Sequence, residues 1–212
     1  MISHPEELRS NIIKSASRVF YKNEFHTISI KDICIASGYS KSEIENVFPD
    51  TINIYVEILN LGLKNYFNHP IFNETNDSDF SIKSKIDDFI EHQMFHMQEK
   101  EDLCTKIFAR ELLLPSNRLT PFINKIISQK MRAALTTLGI YTNLDRDDPL
   151  LLMAFTQCFS PGLRLIALTN SEYPLLKPLL SLPQNELNAY LKTFIFSGLD
   201  GIKSINLALE IT

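Results

Sequence analysis

Residues 29–48, SIKDICIASGYSKSEIENVF, hold two helix-start signals separated by a glycine, and that spacing leaves the chain few ways to fold. Ser29 with Asp32, and Ser40 with Glu43, each place a capping hydroxyl three positions before an acid. Ile30, Ile33 and Ala36 give the first helix an inward face, and Ile44, Val47 and Phe48 do the same for the second. Gly38 falls where the chain must reverse, a position that favours positive φ. Lys41, Ser42, Glu45 and Asn46 are left facing outward. Two short helices at this interval form a helix-turn-helix, whose second helix offers its first turns to a major groove.

The remainder reads as all-α, a three-helix amino-terminal head followed by a larger carboxy-terminal bundle. Apolar residues recur at three- and four-residue spacing, and no strand-like alternation runs for long. The first helix opens with Pro5 and a Ser3–Glu6 capping box, carries the stripe Leu8, Ile12, Ala16, Val19 and Phe20, and ends near Asn23. These elements make residues 1–50 the head. A helix over 50–67 connects it, held by Ile54, Ile58, Leu61 and Leu63. Residues 68–212 make the body, beginning with a polar joint, NHPIFNETNDSD, at 68–79. Body helices are predicted at 81–97, 103–113, 120–138, 149–168 (interrupted at Pro161-Gly162) and 184–208. The last two carry more apolar surface than a small head covers, so pairing with a second copy in a four-helix interface is expected.

Other classes find little support. Glu6 and Glu7 stand where a secretory leader would be apolar, and no apolar stretch is read as approaching the roughly 18 residues of a membrane span. A cytoplasmic protein is expected. Cys34, Cys104 and Cys158 are odd in number and far apart, which suits reduced core thiols. No glycine-rich phosphate loop, nucleophile elbow or paired-cysteine motif occurs, so no enzyme and no cofactor is expected. His92 and His96 have a metal-sharing spacing, with Asp88 one turn earlier. Gln93 stands where a zincin needs glutamate. The pair is read as helix-face histidines at a pocket edge, and no metal site is assigned.

Residues 8–54 resemble the DNA-binding head of the tetracycline-repressor (TetR) family. The likeness runs through Ile13, Ala16, Phe20, Ile28-Ser29-Ile30, Asp32-Ile33, Gly38, Ser40-Lys41 and Phe48-Pro49. Phe108-Ala109-Arg110-Glu111-Leu112, then Pro115-Ser116, Gln157-Cys158 and Ser197-Gly198-Leu199, resemble one recurrent carboxy-terminal ligand-binding and dimerisation subgroup. The resemblance implies a homodimeric repressor, released from a palindromic double-stranded DNA operator by a small-molecule effector. DNA contacts would fall to Ser29, Lys31, Ser40, Lys41, Ser42, Glu43, Glu45 and Asn46, with helix N-termini at Ser29 and Ser40 aimed at phosphates. An effector cavity would be lined by His92, His96, Phe108, Arg110, Glu111, Met131, Phe155, Gln157, Cys158 and Arg164, polar or aromatic groups on otherwise inward faces.

Three departures bear on binding strength. Relatives carry a Gly-Thr-Leu-Tyr-like run where this chain has Ser42-Glu43-Ile44-Glu45, then a phosphate-binding Tyr or His where it has Asn46 and Val47. A lysine is usual where Thr51 stands. Residues 1–50 also hold six Lys and Arg against seven Asp and Glu, a net charge of −1. DNA affinity rests largely on neutralised phosphates, so the alternative is a TetR-like dimer with a degenerate head, sensing a ligand or protein without specific DNA binding. Glu45 still suits cytosine N4, and Asn46 suits adenine.

Overall fold

The computed structural model describes residues 5–73, 79–114, 120–168 and 177–209. Helices and turns account for all regular structure among them: α1 (Pro5–Lys22), α2 (Ile30–Ser37), α3 (Lys41–Glu45), α4 (Thr51–Tyr66), α5 (Asp79–Gln98), α6 (Leu103–Leu113), α7 (Thr120–Thr142), α8 (Pro149–Leu168), α9 (Lys177–Leu180) and α10 (Gln184–Leu209). Single 3-10 turns lie at Phe25–Thr27 and Pro70–Phe72. The chain gathers into two compact units. The first comprises Met1–Asn65 with Lys100–Ala109, and the second Tyr66–Glu99 with Arg110–Thr212. Residues 100–109 thus lie within the span expected for the body but group with the head.

In the first unit, Ile12, Ala16 and Phe20 of α1 meet Ile33, Ile44, Phe48, Ile54, Tyr55 and Ile58, all buried. Phe25, in the turn after α1, brings its ring 4.5 Å from Tyr55, and Phe20 lies 4.8 Å from the same ring. The α6 segment is fitted tightly to α4. A Cβ at Gly62 would overlap the Cys104 carbonyl, and only glycine admits that backbone approach. Asp102 accepts from Asn65 Nδ2 and from Thr105 N, both at 3.3 Å, which fixes the start of α6 to the end of α4. Arg18 of α1 reaches Glu101 at 3.4 Å.

α2 buries less than its pattern promised. Ile33 is fully inside, but Ile30 is half-buried and Ala36 exposed, and Ile35 is 73% exposed. With eight residues, α2 has room for one fully buried anchor. Val47 is half-buried rather than core. The Ser3–Glu6 box lies outside the described residues.

The second unit is built on α5, α7, α8 and α10, with α8 packed against the other three. The expected α5 stripe, Ile82, Ile86, Phe89, Ile90, Gln93 and Met97, is buried throughout. Four features differ from expectation. The joint at 68–79 is not simply polar: Ile71 and Phe72 are buried, and the Phe72 ring lies 4.5 Å from Phe67 and 5.3 Å from Phe89. α7 runs to Thr142 and closes through Asn143 at φ 58°, with Leu144 N donating to Gly139 O at 2.9 Å. α9 was not foreseen. α8 continues through Pro161, because packing on three sides outweighs one missing N–H.

α8 is also long and apolar enough to cross a membrane by composition, with mean hydropathy 1.4, which the reading of the sequence missed. Leu151, Ala154, Cys158, Phe159, Leu163, Leu165 and Ile166 are buried within the bundle, so its apolar content is accounted for as core. All three cysteines are free thiols. Burial pushes the Cys104 thiol up to about 11, with Asp102 adding to the shift.

Candidate nucleic-acid interface

The α2–α3 hairpin is held by its own polar groups. Ser29 donates to Asp32 Oδ2 through both N–H (2.9 Å) and hydroxyl (2.6 Å). Gly38 then turns the chain at φ 75°, its N–H donating to Cys34 O at 2.9 Å. Ser40 repeats the device: N–H and hydroxyl donate to Glu43 Oε2 at 2.8 and 2.6 Å, while Glu43 N donates back to Ser40 Oγ at 3.3 Å. The Ser29 hydroxyl and N–H hold the Asp32 carboxyl below its ordinary range, and those of Ser40 do the same for Glu43.

All eight candidate DNA-contact residues, Ser29, Lys31, Ser40, Lys41, Ser42, Glu43, Glu45 and Asn46, are exposed. Ile44 anchors α3 from behind at 0% exposure, so the outward set is fixed by one buried neighbour. The expected use of the Ser29 and Ser40 N–H groups toward phosphates needs correction. Both already donate to carboxylates, which put negative charge where a phosphate would sit. Cation pairing is also extensive. Lys41 Nζ is 3.4 Å from Glu45 Oε1; Arg9 lies 3.0 Å from Glu57 and 4.6 Å over the Phe48 ring; Arg18 meets Glu101. Each arginine of the head is therefore paired with an acid.

An open cleft of about 310 Å³ lies beside α2, lined by Val19, Asn23, Thr27, Ile28, Asp32 and Ile35. No feature of the sequence marked it, since its walls come from three separate stretches.

The ten residues expected around an effector cavity are placed unevenly. His96, Phe108, Glu111 and Cys158 are buried, while His92, Arg110, Met131, Phe155 and Gln157 are half-buried. Arg164 is exposed: Leu163, Leu165 and Ile166 take the inward side of α8 and turn Arg164 out. Phe108 groups with the first unit and the other nine with the second. Arg110 and Glu111 both have interaction partners. Phe155 stacks on Phe159 at 4.3 Å, and Gln157 Nε2 donates to Phe194 O at 2.8 Å, its side chain filling the space a Cβ at Gly198 would need.

Two histidines from this set do converge. His92 and His96 bring their Nε2 atoms to 3.2 Å, and His92 Nε2 is 3.1 Å from Tyr66 O. His69, which the reading of the sequence passed over, sits beside them with ring centroids 5.2 Å apart from His92. Its Nδ1 accepts from Ile71 N at 3.2 Å, and burial, then His92 and Lys85, lower its pKa to about 4. No motif could have found His69, because its approach depends on the buried turn at Pro70–Phe72.

Two solved structures share this architecture. PfmR, a TetR-family transcriptional regulator from Thermus thermophilus, aligns with a TM-score of 0.55 at 14% identity, covering 87% of this chain and 96% of its own. A structure assigned to the TetR family of transcriptional regulators from Mesorhizobium loti gives 0.55 at 13%, covering 93% and 98%. The fold is that of TetR-family regulators. No family model matches the sequence, and no curated protein matches it either, so the likeness is carried by architecture. In the TetR fold the first unit corresponds to the helical head and the second to the larger carboxy-terminal domain. Both neighbours are described as transcriptional regulators and neither as an enzyme.

Proposed function

We propose that this chain is a DNA-binding transcriptional regulator, acting as a homodimeric repressor that leaves a palindromic operator when a small molecule binds its body. The observation that carries the reading is the α2–α3 hairpin, twice capped, turned at Gly38, and presenting eight polar residues outward on a TetR-fold head. Lys41, Ser42, Glu45 and Asn46 face the groove, and Lys31 lies at the entry of α2. Dimerisation is supported by large apolar side chains left exposed on two helices: Leu152 and Met153 on α8, and Tyr190, Phe194, Ile205 and Leu207 on α10. Joined with a second copy, these faces form a four-helix interface, and two recognition helices then meet successive major grooves about 34–36 Å apart. The effector, taken up among residues of the second unit such as His92, Phe155 and Gln157, shifts the population toward a head spacing that misses this interval. Residues 110–116, with Gln157-Cys158 and 197–199, favour the recurrent ligand-binding subgroup for this body. A cytoplasmic location follows from the same role.

A second reading, a dimer whose head no longer holds an operator, is favoured by the acid pairing of Arg9, Arg18 and Lys41. Selection of bound duplexes from a random pool, followed across a salt series, separates the two. A regulator retains a defined sequence at low salt and releases it steeply as salt rises. Retention that is flat with salt and indifferent to sequence overturns the proposal. Lys41→Ala and Asn46→Ala weaken binding to the selected duplex while leaving the dimer intact.

A further inference from the structure

We propose that His92 and His96 of α5, with the main-chain carbonyl of Tyr66, form a binding site for one divalent transition-metal ion of the zinc, nickel or copper type. Residues four apart on a helix stand one above the other, so both rings project from one side of α5. Here they also tilt toward each other. The two Nε2 atoms are 3.2 Å apart, with the ring planes at 88°. An ion at the usual zinc–imidazole distance of about 2.05 Å from each nitrogen would subtend about 100° between them, within the range that tetrahedral and octahedral sites occupy. The Tyr66 oxygen, 3.1 Å from His92 Nε2, meets the same condition toward that ring.

The surroundings suit a cation. Tyr66 closes α4, and carbonyls of a last helical turn lie at the negative end of the helix. His96 is only 5% exposed, so an ion held there is shielded on one side by the bundle. A carbonyl only accepts, so in the ion-free protein His92 carries its proton on Nε2 and His96 accepts on Nε2. Metal entry moves the His92 ring proton to Nδ1, and no net charge on the protein need change.

The donor set fixes the ion class. Two imidazoles and one carbonyl suit zinc, nickel or copper and hold magnesium or calcium poorly. Among the described residues no third His, Cys, Asp or Glu completes a cluster, so water fills the remaining positions and the ion exchanges readily. His69, packed against His92, restrains that ring from its other side. This site is independent of whether the head binds DNA.

The test uses the full chain. Equilibrium dialysis against Zn²⁺ is expected to load one ion per chain. In NMR, the added ion should move ring-proton signals of two of the five histidines. Co²⁺ should give visible d–d absorption that Zn²⁺ removes. His92→Gln and His96→Gln each weaken binding ten-fold or more with helical content unchanged, whereas His26→Gln, in the head, does not. Wild-type protein that loads no ion, or variants that load it as tightly as wild type, overturns the site. Should both variants misfold, the wild-type histidine signals alone decide, and their failure to move on adding Zn²⁺ refutes it.

Discussion

Single residues in this protein are constrained mostly by what backbone lies against them. Gly62 is the plainest case, since α6 passes so close that a methyl group would overlap the Cys104 carbonyl and crowd Phe108 Cβ. Gly62→Ala is therefore expected to cost about 1–3 kcal/mol, read as a lower urea midpoint with unchanged slope. Cys104 itself carries a pH signature. Its thiol is raised from 9.0 to about 11, chiefly by burial, so the folded chain keeps a proton that the unfolded chain gives up. That stabilisation is complete below pH 9 and is lost as pH rises through 11. Cys104→Ser should flatten this part of the stability curve, as followed by circular dichroism during alkaline titration. Neither effect was legible in the sequence. Glycine at 62 looked like a weak spot in a helix, and only the position of α6, forty residues later, makes it necessary.

At the scale of elements the sequence spoke more clearly, because caps act over three residues and need no distant partner. Ser29–Asp32, Gly38 and Ser40–Glu43 all sit as expected, and α6 and α8 have the bounds read from periodicity. What failed were inferences from a single breaker or from polarity. Pro161 does not stop α8, and a polar stretch hides Ile71 and Phe72, since tertiary burial overrode the local signal in both places. Site residues were legible where exposure alone mattered, as on α3, and illegible where convergence mattered, as for His69. The two roles expected in DNA binding separate by element. Lys31, exposed in the first turn of α2, should act on phosphate: Lys31→Ala weakens binding to all sequences alike and reduces the log–log salt slope by about 1. Asn46, just past α3, should act on a base, so Asn46→Ala relaxes preference at one symmetric pair of operator positions, at a cost of about 1–3 kcal/mol.

For the molecule as a whole, the apolar side chains exposed along α8 and α10 set the expected assembly. Phe194→Glu places a charge on that face, and sedimentation should then report a monomer with intact helical content and weaker operator binding. The chain's path adds a constraint of another kind. Because residues 100–109 group with 1–65, the head is not a contiguous stretch of polypeptide. A fragment cut at residue 65 would bare the flank of α4 around Gly62 that Cys104 and Phe108 cover. Grafting this head onto another body thus calls for two splices, the second carrying the start of α6, and a chimera joined once is expected to precipitate.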